Sequence, residues 1–188
     1  IEGMVGEPAM EPIRIYATQS ESGIAAAVEV AMAEVRRTGA LHRGTVVLCT
    51  PAGRGWVDEF SVQAVEYLTG GDCATISIQY STLASAFVFL ADRETPRESA
   101  FALLAAIEDE IELLPHDRRP AIYVSGESLG SYGGHGAFID ADDMIERVAG
   151  AVHERLGIGE ASARHRLVRG QERSDRRRAN VVDRGPSA

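Results

Sequence analysis

The chain has 188 residues, enough for one hydrophobic core and too few for two ordinary domains. Its formal net charge of −9 is unevenly spread: residues 1–150 carry 10 Arg against 23 acids, whereas residues 151–188 carry 9 Arg against 5. The acidic body excludes a general nucleic-acid surface, which needs a clustered positive field, and no apolar run approaches the ~18 residues of a membrane span.

Ile13-Arg14-Ile15-Tyr16 alternates as a strand does, and Ser20 and Ser22 are candidate caps for an alanine-rich helix from Ile24 to Arg37. Gly39 closes that helix, and Thr45 to Cys49 is a continuous apolar run of the kind found in buried parallel strands. A glycine-rich loop from Thr50 to Trp56 leads into a helix from Asp58 to Leu68, where Phe60, Ala64, Val65 and Leu68 recur at helical spacing. Ala74 to Tyr80 reads as the third strand, and Ser81 to Ala91 as a loop or short apolar helix. Pro96 then opens a helix with Phe101, Leu104, Ala105, Ile107, Ile111 and Leu114 on one face, opposite a solvated face bearing Glu108, Asp109 and Glu112. Ala121 to Val124 is the fourth strand, and a helix follows from about Leu129 to Phe138.

Strands and helices alternating with short connections predict an α/β fold: a mainly parallel sheet in a three-layer α/β/α sandwich, with functional loops at the carboxyl ends of the strands. Two loops fall there. One is the glycine-rich Thr50–Trp56 loop, and the other is Gly126-Glu127-Ser128-Leu129-Gly130, a Gly-x-Ser-x-Gly pentad between strand and helix. That context is what a nucleophile elbow requires, with Ser128 at the turn and glycines where a Cβ would collide with backbone. A serine nucleophile also needs oxyanion donors. The Leu129 backbone N–H is the first candidate, and Ala52 or Gly53 in the earlier loop is the second, since Pro51 has no N–H.

Arg54 is a candidate for steering an anionic substrate and Trp56 for walling an acyl or aromatic pocket, each with a plain structural alternative. His135, seven residues past Ser128 on the same helix, reads as a packing or surface histidine, and Asp140, Asp142 and Asp143 as solvated or capping carboxylates. Cys49 and Cys73 lack metal-ligand spacing and read as reduced, structural thiols. No residue set calls for a cofactor or a metal ion. A phosphate loop over Gly126 to Gly136 is the weakest reading, because it lacks the Lys-Ser or Lys-Thr ending.

Three blocks, Thr50-Pro51-Ala52-Gly53-Arg54-Gly55-Trp56-Val57, Glu66-Tyr67-Leu68-Thr69-Gly70-Gly71-Asp72 and Gly126-Glu127-Ser128-Leu129-Gly130-Ser131, together resemble an actinobacterial α/β-hydrolase family. Its members typically join N-terminal transmembrane helices to a hydrolase-fold catalytic domain, and the resemblance covers about Glu11 to Arg147. It implies Ser128 as nucleophile, a small ester or acyl substrate and a membrane-associated parent protein, with oligomeric state unspecified.

In that fold the catalytic acid and histidine follow the nucleophile on loops after later strands. Residues 151–188 show neither helical nor strand periodicity, so they read as an Arg-rich disordered tail on a partial hydrolase domain spanning 1–150. The expectation is a sheet lacking its later strands, through truncation or a frame change, with neither His153 nor His165 fixed as a base. Such a chain is expected to be inactive or nearly so, or else to act noncatalytically through a partner or membrane.

Overall fold

A computed structural model describes residues 9–18, 23–82 and 92–154, with His153 and Glu154 described by backbone alone. Five strands form one all-parallel sheet: β1 (Ile13–Ala17), β2 (Thr45–Thr50), β3 (Cys73–Ile78), β4 (Ala121–Glu127) and β5 (Gly150–Glu154), in the order β1-β3-β2-β4-β5. The helices are α1 (Gly23–Thr38), α2 (Glu59–Leu68), α3 (Glu94–Glu112), α4 (Leu129–Gly136) and α5 (Ala141–Arg147). The expected parallel α/β architecture is present.

Handedness explains how the layers fill. The steps β1 to β2, β3 to β4 and β4 to β5 advance in one direction across the sheet, whereas β2 to β3 steps back. Right-handed crossovers therefore put α1, α3, α4 and α5 on one face and α2 on the other. The core follows that division. Val46, Leu48, Ala74, Ile76, Ile122 and Val124 meet Ala31, Val35, Leu104, Ile107 and Met144 in one continuous cluster on the crowded face.

The opposite face is thinly covered among the described residues. Of α2 only Glu66 is buried; Phe60 is 72% exposed and Leu68 87%. The apolar stripe is thus largely unpacked: Ala64, Val65 and Leu68 border open space between the helix and the sheet where a closed core would otherwise lie. The helix's orientation is set instead by Arg14 on β1, whose Nε and Nη2 donate to the two Glu66 carboxylate oxygens at 2.6 and 2.8 Å. Asp58, the N-cap of α2, accepts from Phe60 N and Ser61 N.

Several expectations shift in detail. Phe101 is exposed and Leu103 takes its place in the core. Glu108 is not simply solvated: Arg147 donates Nε and Nη2 to its two oxygens at 2.9 and 2.6 Å, with both side chains mostly buried. Helix α3 begins at Glu94, ahead of Pro96, because the Asp92 carboxylate accepts from Glu94 N and Thr95 N. The expectation of no strand beyond residue 150 is wrong. β5 pairs in parallel with β4 from Tyr123↔Gly150 to Glu127↔Glu154, and Ala149 N donates to Ile122 O at 2.7 Å just before it. The proposed caps Ser20 and Ser22, most of the Ser81–Ala91 segment and residues 155–188 lie outside the described residues.

Candidate active site

β2 and β4 are neighbours, paired from Thr45↔Ala121 to Thr50↔Gly126, yet their following helices leave toward opposite faces. That is a topological switch point, where the chain ends of two adjacent strands diverge and open a crevice. The loop after β2 and the turn after β4 meet in it.

Ser128 sits in that turn at φ 55°, ψ −116°, backbone that L-residues rarely adopt. The geometry is that of a sharp strand-to-helix elbow, with the serine half-buried at the sheet's carboxyl edge. Both glycines of the pentad are required sterically. A Cβ on Gly126 would run into the Gly130 carbonyl, and a Cβ on Gly130 would run into the carbonyl oxygens of Thr50 and Pro51. The second contact brings elbow and loop together backbone to backbone. Leu129 opens α4 at a position whose N–H has no intrahelical acceptor.

The Thr50–Trp56 loop folds into a short 3-10 turn over Gly53–Gly55, with Arg54 at φ 63°. Ala52 N donates to Trp56 O at 2.8 Å, and Gly55 N to Ala52 O at 3.1 Å. An amide already donating inside its loop is not preorganised for a substrate oxyanion, which weighs against Ala52; Gly53, the other candidate position, sits in the 3-10 turn that follows. Three side chains grip the same loop. Tyr80 Oη donates to Pro51 O at 2.8 Å, Gln79 Nε2 to Arg54 O at 3.0 Å and Tyr16 Oη to Gly55 O at 2.6 Å. These three were not singled out from sequence; their position just at or past strand ends was the only available signal.

Beside the crevice, between α2 and the sparsely covered sheet face, lies a cavity of about 440 Å3 lined by Val47, Val62, Val65, Leu68, Tyr123 and Val152, among others. Trp56 borders it and is half-exposed, and Arg54, on the same loop, is exposed. Cys49 lines it from β2, accepting from Ser125 Oγ at 3.1 Å; burial pushes its thiol up to about 11, which makes it unreactive at neutral pH. Both cysteines are free and buried, as the structural reading requires.

The histidines divide by position. His42 and His116 lie on turns that precede β2 and β4, at the end of the strands opposite Ser128. His135 is exposed on α4, with Nδ1 3.2 Å from Ser131 O in its own helix. His153, expected to lie in a tail, is on β5 in register with Gly126. His165 lies outside the described residues. The Asp140 cluster caps: Asp140 accepts from Asp143 N at 2.9 Å, and Asp143 accepts from Ile139 N at 3.0 Å and faces Arg147.

Comparison with curated proteins gives no match. The sequence profile of an alpha/beta-hydrolase family matches residues 13–185, which spans the sheet, the elbow and most of the segment beyond β5. With a parallel sheet, a switch-point crevice and a serine held in an elbow at its edge, the chain belongs to that alpha/beta-hydrolase family.

Proposed function

We propose that the crevice is the site of a serine hydrolase acting on a small ester or acyl substrate, with Ser128 as nucleophile. The observation that carries this reading is the positive φ of Ser128, held where β4 passes into α4 at the switch point. Ser128 Oγ attacks the substrate carbonyl carbon as its proton passes to a histidine. The Leu129 amide and the Gly53 amide receive the developing oxyanion. Collapse of the tetrahedral intermediate expels the alcohol, which takes the proton back, and water then releases the acid from the acyl-enzyme. No step draws on a metal or an organic cofactor.

Of the described histidines, His153 on β5 is the candidate for the base, and His165, beyond the described residues, is the other downstream histidine of the sequence. The acidic body suits an uncharged or cationic ester better than a nucleic acid. Among the described residues no helix is long and apolar enough to cross a membrane. Membrane association of a parent protein, and an actinobacterial origin, are part of the proposal on the strength of the resemblance.

The test is labelling of the purified chain with a fluorophosphonate, which forms an O–P bond to an activated serine as fluoride leaves, followed by peptide mapping. Modification at Ser128, absent in Ser128→Ala and slowed by either His153→Ala or His165→Ala, is the expected result. A folded sample that stays unmodified would overturn it. That outcome would favour the noncatalytic, partner-binding reading, which the open cavity beside α2 and the exposed Phe60 and Leu68 support.

A further inference from the structure

The two halves of the oxyanion site come from different loops, and a hole made that way functions only if the loops keep their relative position to within a fraction of an ångström. Tyr80 touches both. Its side chain is 2% exposed and packs with Leu129 in a small cluster separate from the main core. Its hydroxyl donates to the carbonyl oxygen of Pro51, two residues before Gly53. The Gly130 backbone meets the same Thr50–Pro51 stretch from the other side.

The rest of the loop is held by the same strand ends. Tyr16 is the penultimate residue of β1, and Gln79, whose N donates to Ala17 O at 2.8 Å, directly follows β3. Through them Gly55 O and Arg54 O are each tied to the sheet. Gly55 itself is at φ 79°, and a Cβ there would strike the Tyr16 hydroxyl and the Gln79 side chain, so the clamp leaves no slack at that position. Burial drives the Tyr80 phenol far above its ordinary range, which keeps it a donor at every working pH.

We infer that Tyr80, with Tyr16 and Gln79, forms a clamp that positions the Thr50–Trp56 loop against Leu129, so that the second oxyanion donor is held in place from behind. These are positioning residues; none is required to touch substrate. The inference rests on Ser128 being the nucleophile.

The test compares the wild-type chain with Tyr80→Phe and Tyr16→Phe, using the rate of fluorophosphonate labelling at Ser128, kcat and KM for a nitrophenyl ester where turnover is measurable, and Tm. Tyr80→Phe is expected to slow labelling and lower kcat about ten- to a hundred-fold with KM within about two-fold, because ground-state binding does not use the hole. Tyr16→Phe, at a half-exposed site, is expected to slow labelling by a smaller factor in the same direction, and it carries the test if Tyr80→Phe does not fold. Labelling as fast as wild type in folded Tyr80→Phe and Tyr16→Phe, whatever the change in Tm, would overturn the clamp and leave Ser128 standing. A wild-type chain that never labels would remove the nucleophile and the clamp together.

Discussion

Ser128→Gly should make the protein more stable while it removes the proposed nucleophile. Ser128 is held at φ 55°, ψ −116°, a region that glycine enters freely and that costs another residue about 1–3 kcal/mol. Against this relief stands the larger entropy lost on folding by glycine, about 0.5–1 kcal/mol. The serine hydroxyl makes no capping hydrogen bond to α4, so its loss forfeits none. The net is a gain of about 1 kcal/mol, which for a chain of this length raises Tm by about 2–4 °C. Differential scanning calorimetry on Ser128→Gly, Ser128→Ala and wild type measures it. Alanine keeps the Cβ and therefore the strain, so it should melt near wild type, and neither variant should take up fluorophosphonate. A Tm for Ser128→Gly at or below that of Ser128→Ala would mean that the turn is not strained, and the elbow argument would fall with it.

Gly130→Ala tests the contact between elbow and loop. Helix propensity alone favours alanine by about 1 kcal/mol, but the new methyl would meet the backbone carbonyls of Thr50 and Pro51, which cannot step aside, so a loss of about 3 kcal/mol is expected in urea unfolding. Glu108→Gln removes the bidentate carboxylate from Arg147, leaving it the longer 3.5 Å pair with Asp143, and should cost about 2 kcal/mol, part of which Glu108→Gln combined with Arg147→Met should recover. Cys49 ionises more readily unfolded, near 9.0, than folded, near 11. Its contribution is therefore full below about pH 9 and declines as pH rises toward 11, by about 2–3 kcal/mol in all. Cys49→Ala should flatten that part of the stability profile, measured by urea unfolding at a series of pH values.

The strands most legible in the sequence are those that the sheet buries completely. Thr45 to Cys49 is a continuous apolar run, and the run from Ala74 is buried along its length with Ala74, Ile76 and Ile78 on the core face and the small Thr75 and Ser77 on the other, and such runs announce themselves. β5 did not, since Gly-Ala-Val-His-Glu holds a single β-branched residue, and its strand character comes from pairing with β4. The orientation of α2 was hidden for a related reason. Phe60 and Leu68 repeat at helical spacing, but among the described residues that face carries only the one crossover and leaves them little to pack against, and the bidentate pair of Arg14 with Glu66 decides which side turns in. Residue spacing brought Ser128, Leu129 and the glycine loop to one rim. It could not say that the Ala52 amide is committed to Trp56 O, because backbone bonds within a loop depend on φ and ψ and not on residue type. Nor could it give the strand order, on which the switch point depends.

Among the described residues only Arg54 and Ser128 combine a side chain with positive φ, and they lie on the two loops that meet at the end of β2 and β4. Had such strain been incidental it would be expected anywhere on the surface, where a glycine substitution relieves it at little cost. Instead each strained residue is over-determined by its surroundings. Ser128 is fixed by a helix that packs tightly on α3, with Gly133 set against the Pro96 carbonyl, and Arg54 by the bonds from Gln79 and Tyr16 to its own and the next carbonyl. Two strained turns facing each other across one backbone contact, each held from behind by a different part of the sheet, describe a crevice whose shape the fold maintains against its local preference. That is the condition the proposed hydrolase reading places on Ser128 and its two candidate amide donors before any substrate arrives.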